Sequence, residues 1–206
     1  MEVNLLRDAS EVWFRRALTY FSDDPENTAL ISINLSQSLK ATENFAAATA
    51  ALQAAHGSLD SREKFPQLWD MVSDNLAAVA LTQGFRRRTD LKEKLTQGYT
   101  VTKKEDRAVV EPISEAIKIY SSLGNKKQAA SARYQRGLFY SATWKHQKNQ
   151  EEAQGKLGAA MGDLQVRREE GRGGGGERRG GEGEGRGEKG RKPPRNSLTP
   201  TMTTST

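Results

Sequence analysis

The chain has 206 residues, no cysteine, two histidines and a formal net charge of +6, a composition that excludes disulfides, thiolate catalysis and cysteine-based zinc sites. Residues 171–206 hold eight basic and four acidic side chains, a surplus of +4, so the rest carries only about +2 and its basicity does not mark a nucleic-acid-binding fold. No apolar run approaches the roughly 20 residues of a membrane span, and the first residues show neither the basic start nor the apolar run of a signal peptide.

The first predicted element is a helix near the start of the chain, where Phe14, Ala17 and Phe21 are spaced by three and then four and so share one face. Asp24-Pro25-Glu26 reads as a cap, a first-turn proline and an acidic first turn opening a second helix. That helix runs to about Lys40, with Leu30, Ile33 or Asn34, Leu35 and Leu39 facing inward. Thr42 can cap a third helix through Ala55, ended by Gly57, in which Phe45, Ala48 and Leu52 repeat the first spacing. Ser61 can cap a fourth, which passes Pro66 and carries Trp69, Val72, Leu76 and Val79 to a stop at Gly84.

The polar chain that follows, with Arg86-Arg87-Arg88 and Lys103-Lys104-Glu105-Asp106, reads as an inserted loop or an extended helix. Ile113, Ala116 and Tyr120 then give the spacing a third time, and Gly124 closes their helix. A further helix is predicted from about Lys126 to His146, with Ala130, Tyr134, Gly137, Leu138 and Tyr140. Residues 147–168 are helix-prone, but Leu157, Met161 and Leu164 make a thin apolar face. Sustained two-residue alternation is absent, so no sheet is expected.

An alanine between two large apolar residues leaves a notch that admits a neighbouring helix closely. Ahead of the Phe45 notch stands Asn34-Leu35-Ser36 with Leu39, which is how the first helix of a tetratricopeptide unit usually reads, and Leu76-Ala77 with Ala80 and Gly137 with Tyr140 have the same form. The expected fold is therefore all-α: a tetratricopeptide-like α-solenoid of antiparallel hairpins over 1–168, without coiled coil. Residues 169–206, rich in Gly, Arg and Glu and almost free of large apolar side chains, form an expected disordered basic tail.

Several runs also resemble the C-terminal helical-repeat region of the erythroid differentiation-related factor family: Trp13-Phe14 with Arg16-Ala17-Leu18-Thr19-Tyr20-Phe21, Ala29-Leu30 with Asn34-Leu35, Leu68-Trp69-Asp70-Met71-Val72, and Ser114-Glu115-Ala116 with Ser122-Leu123. Order and rough spacing agree from about Ala9 to Gln165. The resemblance implies part of a large, mainly nuclear protein associated with transcriptional regulation, and a chain that is a fragment of a longer solenoid. It favours the nucleus over the cytoplasm.

Chemistry finds little support in the residues. His56 and His146 lie in different hairpins and read as solvated residues near helix ends, so no metal site is expected. No nucleophile elbow occurs, and Glu151-Glu152 and Glu169-Glu170 read as solubilising pairs. No catalytic residue, cofactor or small-molecule substrate is expected. Arg86, Arg87 and Arg88, placed after the Gly84 stop, complement a helix C-terminus or offer a dock for an acidic partner. Arg172, Arg178 and Arg179, in arginine-glycine boxes, with Arg191, Lys192 and Arg195 in a basic proline-containing run, are candidates for weak nucleic-acid contact or import, against the plain reading of a solvated linker or read-through of purine-rich DNA. Trp13 and Trp69 are expected in the core and Trp144 at an exposed edge. The leading functional expectation is a non-enzymatic scaffold holding a protein or peptide in its groove, with no membrane contact; the alternative is a nucleic-acid-associated regulator acting through the tail.

Overall fold

Six α-helices follow one another: α1 (Glu2–Tyr20), α2 (Pro25–Ala41), α3 (Phe45–Ser58), α4 (Pro66–Thr96), α5 (Lys103–Ser122) and α6 (Lys126–Thr143), the last continuing into a 3₁₀ turn at Trp144–His146. The computed structural model describes residues 2–146, with side chains from residue 9, and beyond them residues 151, 154–159, 161, 162 and 165. The described residues after 146 are helical, and none of the described residues is in a strand. All of them belong to one unit, Met1–Gly175.

Each helix packs on the next, and contacts also join α2 to α4 and α4 to α6. The sequence accounts for much of this. Asp24 caps α2, accepting from the Asn27 amide at 3.1 Å, with Pro25 in the first turn. α2 touches three helices, and its buried set is correspondingly broad: Ala29, Ser32, Ile33, Leu35, Ser36 and Leu39. The two serines keep the approach close, and the buried Ser36 hydroxyl is satisfied by donating to the Ile33 carbonyl at 2.7 Å. On α3, Ala48, Leu52 and Ala55 are fully buried, while Phe45 is partly buried against the same core.

α4 is the spine of the unit. Its N-terminal half supplies Val72 and Val79 to the α2–α3 core, with Leu76 packed at the margin. Its C-terminal half supplies Leu91 to a second core with Val109, Ile113, Ala132, Phe139 and Tyr140. Between these, Ala77 meets Ala116, Tyr120 and Ala129. Gly137 is buried in α6.

Several expectations are corrected. Gly84 does not stop α4; it lies inside a 31-residue helix. A β-carbon placed there would meet Ile113 Cγ1 at 2.5 Å and the Val109 carbonyl oxygen at 3.1 Å, so the glycine serves close approach of α5 rather than chain reversal. Good helix formers on either side (Ala77, Ala78, Ala80, Leu81, then Arg86 to Arg88) outweigh its propensity cost of about 1 kcal/mol. The chain reverses instead at Gly98, in a left-handed conformation with φ of 79°.

Thr42 ends α2, and Asn44 caps α3, accepting from the Ala47 amide at 3.3 Å. Gly57 falls within α3, which ends at Ser58. Ser61 lies in the preceding turn, and α4 begins at Pro66. The polar run at 103 opens α5 through a capping box, Thr102 with Glu105.

Among the described residues of α1 only a narrow stripe is covered, because the helix packs chiefly on α2. Phe14, Ala17 and Leu18 are partly buried, but Phe21 lies beyond the helix end and is exposed, and Trp13 is 66% exposed rather than in the core. Trp69 is half-buried, and Trp144 is half-buried rather than at an open edge. Leu30 faces solvent, not the core.

Candidate partner-binding face

Leu30 on α2 and Met71 on α4 are 41% and 45% exposed. Each stands five residues before a leucine–small pair, Leu35-Ser36 and Leu76-Ala77. Leu30 opens into a groove of about 320 Å³ walled by Glu26, Lys64, Phe65, Pro66, Gln67 and Leu68. Met71 lines a second groove of about 330 Å³ with Gln67, Asp70, Asp74, Asn75, Leu123 and Asn125. Gln67 borders both, so the two grooves adjoin along the first turns of α4.

The charges here are partly matched. Lys64 pairs with Asp60, which lowers the Asp60 carboxyl below its usual range. Arg62 reaches Asp70 at 2.9 Å. Asp74 differs: Asn125 Nδ2 donates to it at 3.4 Å, and no described cation pairs with it. It lies close enough to Tyr120 that burial, aided by the Asp74 charge, pushes the phenol up to about 12. A partly buried carboxylate thus borders an exposed methionine, three carboxamides and a leucine. Such a surface suits hydrogen bonding to an extended backbone and cover of an apolar side chain.

The arginine triad does not form one patch. Arg86 Nε bonds Glu43 at 3.1 Å, tying α4 to the α2–α3 turn. Arg87 Nη1 donates to the Ala108 carbonyl at 2.9 Å. Arg88 donates to Gln135 Oε1 at 2.7 Å, with its guanidinium 4.9 Å from the Phe85 ring centre. The three fan out to three elements, from the middle of a helix and not from its C-terminus. Arg88 and Lys92 also rim a 210 Å³ cleft floored by Leu95, Leu138, Phe139 and Ala142. Arg172, Arg178, Arg179, Arg191, Lys192 and Arg195 lie outside the described residues.

His56 does stand in the last turn of α3, but it is half-buried and not simply solvated. Its Nε2 lies 3.0 Å from Ser73 Oγ, and its ring stacks on Trp69 at 4.3 Å between centroids. Burial pulls its pKa below 6.5, against a backbone hydrogen bond with Trp69 that raises it. Ser73 is buried, one face of the half-buried ring lies on Trp69, and the described contacts of His56 include no orienting carboxylate, so the pair latches α3 to α4. Among the described residues no group of three or more His, Cys, Asp or Glu side chains could hold a metal ion, and no helix is long and apolar enough to cross a membrane.

Sequence reading missed Leu30 and Met71 as surface residues and did not single out Asp74. The signal was present in the matching five-residue offset of the two apolar residues, but burial on α2 differs from a single stripe because three helices crowd it. No family model, curated protein or solved structure matches the chain.

Proposed function

We propose that this protein is a non-enzymatic helical-repeat scaffold, whose α2–α3 and α4–α5 hairpins stack in tetratricopeptide manner and hold a segment of a partner protein on the face formed by α2 and the first half of α4. The observation that carries this reading is the pair Leu30 and Met71, exposed at the same offset on α2 and α4 beside adjoining grooves. Equivalent positions of neighbouring repeats point to one side of a stack, so two such residues extend a single binding track. The buried series Leu35, Ser36, Leu39, Ala48, Leu52 and Ala55 supports the repeat register in α2–α3. In α4–α5 the corresponding Ala77, Ala116 and Tyr120 are buried, but the longer α4 and the 97–102 loop intervene.

The resemblance of the Trp13–Phe21 and Leu68–Val72 runs to the erythroid differentiation-related factor family supports placing this scaffold among nuclear proteins associated with transcription. The test is selection of random dodecapeptides displayed on phage against the full chain. Peptides so selected should lose about tenfold or more in affinity for the Leu30→Asp, Met71→Asp double variant and bind a Trp13→Asp variant unchanged. Selected peptides indifferent to the double variant, or no enrichment at all, would contradict the reading.

A further inference from the structure

Resting on that scaffold reading, the structure assigns a partner chemistry to the groove over α4: we infer that it takes an extended segment bearing a basic side chain, arginine or lysine, whose charged end meets Asp74. Asp74 is partly buried, and its described partner is a single long hydrogen bond from Asn125. A carboxylate has acceptor room for several donors. That room can take a charged donor brought by a partner, which makes the stronger, charge-assisted hydrogen bond.

The surroundings sharpen the choice. Lys64 is matched by Asp60 and Arg62 by Asp70, so neither of these two neutralises Asp74. Glu26 on the adjoining groove adds negative charge that no described cation pairs. Together the two grooves are lined by three carboxylates, Glu26, Asp70 and Asp74, and one cation, Lys64, in a chain whose net charge is +6, and this lining opposes a phosphate backbone while it attracts a basic peptide. Met71, one turn before Asp74 and 45% exposed, offers apolar surface for the methylene stem of a long basic side chain. Gln67 and Asn75 flank it with amide donors and acceptors for an extended backbone.

The experiment uses the full chain and a synthetic positional-scanning library of end-blocked dodecapeptides, each position fixed in turn to Arg, Lys, Glu, Leu or Ala. One position should prefer Arg or Lys over Ala by about fivefold, with the preference shrinking as NaCl is raised. Asp74→Asn, which keeps the shape and the Asn125 contact, should abolish that preference; Asp74→Glu should retain it, and so should Glu111→Gln on exposed α5 surface. Thermal melts of the three variants separate a lost preference from a lost fold. Binding driven by apolar positions alone, a preference for Glu, or a basic preference that survives Asp74→Asn would each overturn this assignment and leave the scaffold reading standing. Absence of binding by every library member would remove both.

Discussion

Arg87 donates a hydrogen bond to the carbonyl of Ala108, the acceptor that Pro112 deprives of its helical donor. Proline has no amide hydrogen, so the carbonyl four residues earlier loses its partner inside the helix. The guanidinium from α4 replaces it at 2.9 Å and fastens the two helices at the same time. Replacing Arg87 by Met should cost about 0.5–1.5 kcal/mol. In a Pro112→Ala background, where residue 112 regains its amide hydrogen, the same change should cost less. A double-mutant cycle by urea denaturation measures the coupling, and equal costs in both backgrounds would contradict the account.

Gly84 and Gly57 predict opposite outcomes for one substitution. A β-carbon at Gly84 collides with Ile113 and the α5 backbone, whereas Gly57 on α3 has nothing within 4 Å. Gly84→Ala should therefore destabilise by about 1–3 kcal/mol despite its better helix propensity. Gly57→Ala should stabilise by about 0.5–1 kcal/mol. Thermal melts decide both.

Ala48 is fully buried where α3 meets its neighbours. Ala48→Leu should overpack that contact and cost about 1–3 kcal/mol, while Ala46→Leu, exposed on the same helix, should be near neutral.

His56 makes stability fall in mild acid. Its folded pKa lies below the ordinary 6.5 because burial disfavours the charged ring. Below pH 6.5 the unfolded chain binds the proton first, so stability drops as the pH falls from 6.5 towards the lowered folded value. Above that window both states are neutral and the group contributes no slope. The lowered carboxyls of Glu105, held by Thr102, and of Asp24, held by Asn27, act with the same sign but only as the pH falls through the carboxylate range. Because Trp69 stacks on His56, its fluorescence should track the upper transition. A His56→Gln variant should lose the slope near neutral pH and keep the acid limb.

The sequence and the fold agree most closely where local chemistry decides. Asp24-Pro25 opens α2, Gly124 ends α5 in a left-handed turn with φ of 70°, and Ala48 and Ala116 are the buried notches their spacing implied. Agreement fails where tertiary contact overrides local preference. Gly84 carries the residue type of a helix stop, yet it marks the close approach of α5. Trp13 looks like core, but α1 packs chiefly on α2 and leaves Trp13 66% exposed. The Thr102–Glu105 box has the Thr-x-x-Glu spacing of a capping box, and it opens α5 inside the polar stretch. Asp74 had no local signature at all, since its setting depends on Tyr120 and Asn125, about fifty residues away along the chain.

The most direct test of the binding face is methyl NMR of the full chain during titration with its tightest-binding selected dodecapeptide. The account predicts that the Leu30 and Met71 methyl resonances move together and saturate with one dissociation constant, while the Trp13 indole resonance stays in place. Movement of Trp13, or of the Leu138 methyls beside the Arg88 cleft, with Leu30 and Met71 unchanged, would contradict it.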